Sequence, residues 1–166
     1  MGCHWCDIKE SWNAAKISPI PIERIAEHAA FHPAMAIVVT GGEPLLYNLD
    51  PLCEKLKQNK ILCFLETSGS LPLSGNWDWI CLSPKKEAPP LPEIFRVANE
   101  MKVIVHGNED FCWAEQNQMR VDENVMLYLQ PEWSRREVMM PEIIRYIKRN
   151  PVWRISLQSH KYMRIP

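Results

Sequence analysis

The sequence predicts an α/β domain built on a parallel sheet, on three observations. Short, apolar, β-branched runs recur along the chain, each too short to be a helix. Segments with apolar residues at helical spacing lie between them. Strand, crossover, strand order then requires parallel pairing through right-handed connections.

In chain order, Ile22, Ile25, Ala26 and Ala29 fall on one face of a helix, followed by a strand at 36–40. A second helix carries Leu52 and Leu56 behind Asp50-Pro51, where Asp50 is expected to cap the first turn and Pro51 has the φ suited to its first position. Further strands are expected at 61–65, Trp79–Leu82, 102–105, 125–129 and 153–157. A helix over 141–148 begins on Pro141, aligns Ile143, Ile144 and Ile147, and stops at Asn150-Pro151. The Pro-rich stretch 83–92 reads as an ordered loop, and no internal repeat or low-complexity tract appears.

Composition narrows the function classes. With 166 residues, 46% hydrophobic and 23% charged, the chain has the makings of one domain with a substantial core. Lys and Arg number 19 against 20 for Asp and Glu, so a net charge of -1 supplies neither counterion release for nucleic acid nor steering toward anionic membranes. A small-molecule partner is expected, with no nucleic acid and no membrane. No apolar run approaches the roughly 20 residues of a membrane span, and the start lacks the basic and apolar regions of a signal peptide, so a cytoplasmic location is expected. Cys53, Cys63, Cys81 and Cys112 lie in apolar segments and read as reduced packing residues.

The chemistry sits where the strands end. Thr40-Gly41-Gly42-Glu43-Pro44, Glu66-Thr67-Ser68-Gly69, Ser83-Pro84-Lys85, Gln130-Pro131-Glu132 and Gln158-Ser159-His160-Lys161 each follow a strand. Carboxyl ends of parallel strands share one rim, so these segments are expected to converge. Singly, each has an ordinary explanation: a tight turn, a loop start, a surface histidine, a solvated lysine. Together they point to an active site. Cys3 and Cys6 add a thiol pair with metal-ligand spacing and Trp5 between them, although two thiolates do not complete a zinc site or a typical iron-sulfur site.

These segments, in this order and through to Pro166, resemble the 7-carboxy-7-deazaguanine synthase family of radical S-adenosylmethionine enzymes. Gly-Gly-Glu-Pro with a Cys-aromatic-Cys pair suggests the superfamily; Ser83-Pro84-Lys85, Leu129-Gln130-Pro131 and His160-Lys161 narrow it. The resemblance implies an incomplete (β/α) barrel, a homodimer, a 4Fe-4S cluster and S-adenosylmethionine. It implies conversion of 6-carboxy-5,6,7,8-tetrahydropterin to 7-carboxy-7-deazaguanine with ammonia release, fed by a flavodoxin- or ferredoxin-like reductant and leading to queuosine and other 7-deazapurines. Cys3 and Cys6 would ligate the cluster. Trp5, Cys6 and Asp7 would contact S-adenosylmethionine, as would Gly41, Gly42 and Glu43 at its methionyl end. Ser83, Pro84 and Lys85, then Gln130, Pro131, Glu132 and Trp133, would complete that site. Thr40, His160 and Pro166 would touch the pterin.

Two departures follow from the same comparison. The family pattern is Cys-x3-Cys-x2-Cys, which places a first cysteine and a first barrel strand ahead of Met1; the expectation is a single core domain, 1–166, truncated at its N-terminus and inactive in that form. Ile8 stands where the family has a threonine that ligates Mg2+, and isoleucine offers no oxygen to a hard cation, so weak or absent Mg2+ dependence is expected. Three alternatives stay open: an activating enzyme of the glycyl-radical type, a zinc or thiol-redox module using Cys3 and Cys6, and a catalytically dead remnant.

Overall fold

A computed structural model of the chain describes residues 18–165. Six strands form a single sheet in sequential order: β1 (Ala36–Val39), β2 (Leu62–Thr67), β3 (Trp79–Leu82), β4 (Glu100–Val105), β5 (Met126–Pro131) and β6 (Trp153–Ile155). Every neighbouring pair is parallel, with Val39 beside Leu65, Thr67 beside Leu82 and Val105 beside Pro131. Stepping always to the next strand through crossovers of one hand keeps the helices on one face and curls the sheet around the other. Among the described residues β1 and β6 are its edges, so the sheet is an open, incomplete barrel, as expected.

The helices are α1 (Ile22–Phe31), α2 (Asp50–Gln58), α3 (Ile94–Val97), α4 (Glu109–Gln118), α5 (Arg136–Arg149) and α6 (Ser159–Met163). Three core clusters lie between them and alternate strand residues, the smallest joining Leu82 of β3 to Ile94 and Phe95 of α3. Leu52, Cys53 and Leu56 of α2 pack with Cys63 and Leu65 of β2, while Ala114 of α4 and Ile143 of α5 pack with Val103, Val105, Leu127 and Leu129. Phe64, Glu66, Lys102 and Tyr128, on the opposite parity of their strands, are only partly buried and line the inner face.

Several boundaries move. Asp50 is the first residue of α2 rather than its cap: its N–H donates to Asn48 Oδ1 at 3.0 Å, and its own carboxylate accepts from the Gly75 N–H at 2.6 Å. Helix α5 begins at Arg136 and runs through Pro141, because Met139 and Ile143 extend the buried stripe backwards past the proline; Ile144 faces solvent. Strands β2 and β5 take in Thr67 and Pro131, and β6 stops at Ile155. Helices α3, α4 and α6 were not expected. The first and last are about one turn long, and α4 buries Asp110 and Asn117 beside Ala114, so polar residues occupy the positions where an apolar period would show. The stretch 83–92 is a loop, as expected. Cys53, Cys63 and Cys81 are free and buried, but Cys112 is exposed on α4, turned outward by the helix that the sequence did not reveal. No described helix is long and apolar enough to cross a membrane.

Candidate active site

At the end of β1, Thr40 and the two glycines are exposed and Glu43 is buried. Gly41 has φ +132°, a region that disfavours other residues, and nothing lies within 4 Å of where its Cβ would stand. The glycine is therefore required by backbone conformation and leaves the main chain open to an incoming group. Glu43 fastens this turn to the end of β2. Its Oε1 accepts from Thr67 Oγ1 at 2.6 Å and the Leu45 N–H at 3.2 Å; its Oε2 accepts from the Ser68 N–H at 2.9 Å and Ser68 Oγ at 2.5 Å. Four donors occupy the usual acceptor sites of a carboxylate. Glu43 is thus tied into the turn, and the Gly41–Gly42 backbone is exposed beside it.

The tie continues around the rim. The Ser83 N–H donates to the Thr67 carbonyl at 2.8 Å, joining the ends of β2 and β3, and Lys85 Nζ donates to Ser83 Oγ at 2.6 Å. Ser83 and Pro84 are buried while Lys85 is half-buried. Lys86 pairs with Asp110 in the first turn of α4, just beyond the end of β4. The Glu132 N–H donates to the Val105 carbonyl at 2.9 Å, joining β4 and β5. Gln130 is buried and accepts from Ser156 Oγ at 3.0 Å, joining β5 and β6.

Glu132 caps the turn after β5, accepting from the Ser134 N–H at 3.1 Å and Ser134 Oγ at 2.5 Å. Burial works against its charge, but these bonds outweigh it and hold the carboxyl below the usual range. Trp133 is partly buried, with the Arg136 guanidinium 4.2 Å and Lys161 Nζ 5.1 Å from its ring centre and the Tyr162 ring edge-on at 5.1 Å. His160 is the second residue of α6, directly before Lys161 and Tyr162, and its carbonyl accepts from the Ile165 N–H at 3.0 Å.

The structure therefore brings together, on one arc, Thr40, Gly41, Gly42, Glu43, Ser83, Pro84, Lys85, Gln130, Pro131, Glu132, Trp133 and His160. Cys3, Trp5, Cys6, Asp7, Ile8 and Pro166 lie outside the described residues. Among the described residues no three His, Cys, Asp or Glu side chains converge on a metal-sized site.

Sequence reasoning missed the inner face. Lys102 Nζ of β4 lies 2.6 Å from Glu66 Oε1 of β2 across the hollow of the sheet, with the lysine side chain 16% exposed. Burial pulls the Lys102 pKa down, but the carboxylates of Glu66 and Glu100 and the Cys81 sulfur around it raise it above its ordinary value. Burial also pushes the Cys81 thiol far up. The available signal was the alternation Glu100-Met101-Lys102-Val103, which puts charge on one side of a strand and apolar groups on the other.

An open parallel sheet with its polar segments on one rim and a charged pair in its hollow places the chain among the incomplete (β/α)-barrel enzymes. No protein-family model matches it. It is 49% identical over 166 residues to the 7-carboxy-7-deazaguanine synthase of Flavobacterium psychrophilum, an alignment spanning 100% of this chain and 79% of the relative. The synthase of Synechocystis sp. is 43% identical over 161 residues, 97% of this chain and 77% of that protein. The crystal structure of QueE from Escherichia coli superposes with a TM-score of 0.75 at 27% identity, covering 95% of this chain and 80% of that one. The chain belongs to the 7-carboxy-7-deazaguanine synthase family.

Proposed function

We propose that this chain acts as a radical S-adenosylmethionine lyase that turns 6-carboxy-5,6,7,8-tetrahydropterin into 7-carboxy-7-deazaguanine with release of ammonia, in queuosine and 7-deazapurine biosynthesis. The observation that carries this reading is the 49% identity to a synthase of that name along all 166 residues. The rim is compatible with the cofactor: open glycine backbone at Gly41, the Lys85 ammonium and the Gln130 amide present the donors and acceptors that a zwitterionic amino acid and a purine require. When bound, a 4Fe-4S cluster with S-adenosylmethionine supplies hydrogen-atom abstraction from an unactivated carbon.

This chain's residues would do the rest. Cys3 and Cys6 ligate the cluster, and Trp5 and Asp7 contact the cofactor beside it. Gly41 and Gly42 admit the methionyl end, with Glu43 holding their turn in place. Ser83, Pro84 and Lys85 contact the ribose and carboxylate, and Gln130, Pro131, Glu132 and Trp133 line the purine side. Thr40, His160 and Pro166 hold the pterin. The protein works in the cytoplasm as a homodimer and receives electrons from a flavodoxin- or ferredoxin-like donor. Ile8 gives Mg2+ no oxygen ligand.

Anaerobic incubation of the protein extended ahead of Met1 by a segment carrying the third cluster cysteine, reconstituted with iron and sulfide, with S-adenosylmethionine, reduced flavodoxin and the carboxytetrahydropterin tests the reading, with the 166-residue chain alone as the inactive control. The expected result is 7-carboxy-7-deazaguanine and ammonia in equal amounts, unaffected by added Mg2+. Cleavage of S-adenosylmethionine only when a protein substrate is supplied, or zinc as the bound metal, would overturn it; marked stimulation by Mg2+ would overturn the Ile8 assignment alone.

A further inference from the structure

The loop 83–92 leaves the end of β3 and is fastened to the sheet by main-chain bonds near both ends. Ser83 N–H donates to the Thr67 carbonyl at 2.8 Å, and Leu91 N–H donates to the Gly69 carbonyl at 2.8 Å. Prolines at 84, 89, 90 and 92 stiffen it. Between those ends, Lys86 reaches across to Asp110 in the first turn of α4. Asp110 is 6% exposed, and its second oxygen accepts from the His106 N–H at 2.7 Å and the Gly107 N–H at 2.9 Å. One buried carboxylate thus clamps the β4–α4 turn and the middle of the loop together. Burial opposes its charge, yet the Lys86 ammonium and the two amides keep it ionised below the ordinary range. Pro84, Lys85, His106 and Trp113 line a depression that opens beside the clamp.

Lys86 is part-exposed, so the pair does little for global stability. What it can do is set the position of the residue before it: Lys85, whose ammonium meets Ser83 Oγ at 2.6 Å. We propose that Asp110 is a positioning residue which, through Lys86, holds Ser83 and Lys85 in the pose that receives S-adenosylmethionine. The inference rests on the reading of those two residues as cofactor contacts. Adjacent lysines then divide the work: Lys86 anchors the loop from behind, and Lys85 faces the ligand. A pre-set loop spares the ligand the ordering entropy that a loose one would charge against binding.

The test uses the whole chain, with S-adenosylhomocysteine and 6-carboxypterin as separate probes in calorimetric titrations. In Asp110→Asn the remaining carbonyl oxygen still accepts from the two amides, so the turn survives while the ionic hold on Lys86 is lost; Lys86→Met removes the same tie from the other side. Each is expected to weaken S-adenosylhomocysteine about tenfold, as for loss of one charge-assisted hydrogen bond, to leave 6-carboxypterin within about twofold, and to speed amide exchange across 84–92. Lys86→Arg, which keeps charge and reach, is expected to restore affinity, and the double variant to be no worse than either single one. A loss under about threefold, or an equal loss for both probes, overturns the inference while leaving the cofactor reading standing. Wild-type protein with no affinity for S-adenosylhomocysteine overturns both.

Discussion

Glu43 shows how one side chain can be identified as a site residue and still have its immediate task hidden. Its place after Gly41-Gly42 marks it as part of the rim, but its partners Thr67 and Ser68 are 24 and 25 residues further on. Only the parallel pairing of β1 with β2 brings them within reach. Buried and holding four donors, Glu43 is a structural pin for the glycine turn. Glu43→Ala would leave those donors without an acceptor in a place that water reaches poorly. It is expected to lower the unfolding free energy by about 2–4 kcal/mol, read from the urea midpoint, with Glu43→Gln between the two. A loss below about 1 kcal/mol would mean that the four bonds are replaced by solvent. Lys85 poses the reverse case: its bond to Ser83, two residues away, was within reach of sequence reasoning, while the role of its neighbour Lys86 was not.

At the level of elements, strands were more legible than helices. A strand buried against helices is a short apolar run whatever surrounds it, so β3 was located to the residue, and the others to within a few residues of each end. Helix α4 escaped notice because Asp110 and Asn117 face inward, and polar residues there carry no hydrophobic period. Helix α5 was shortened by a rule that usually holds: proline opens a helix. Here Pro141 is the sixth of fourteen residues, lies on the exposed side, and leaves one helical hydrogen bond unmade. Because Met139 and Ile143 on the buried side hold the helix through that gap, Pro141→Ala is expected to stabilise the protein. The gain should be about 1–2 kcal/mol, after allowing for the greater unfolded-chain entropy that alanine brings. An unchanged or lowered thermal midpoint would show that the proline itself is required for packing.

For the molecule as a whole, the rim is a chain of reciprocal ties, and acid should act on it through the carboxylates. Asp110 and Glu132 both hold their protons more weakly in the folded protein than at their ordinary values of 3.8 and 4.5. Their contribution is therefore fully present above those values and is lost as the pH falls through the lowered folded ones. The thermal midpoint is expected to be flat from neutrality to about pH 5 and to fall below about pH 4, with a shallower fall in Glu132→Gln, which starts from a lower midpoint. A midpoint that rises on acidification would contradict the assignment of both groups.

Residue type and spacing were enough to define a parallel α/β sheet, to place chemistry at strand ends and to point to the family, because periodicity and turn chemistry are local properties. Which rim residues bond to which, the inner Glu66–Lys102 pair and the clamp at Asp110 were decided by the sheet itself. Those partners lie tens of residues apart in the chain, and only sequential parallel pairing, curling around a hollow, brings them together.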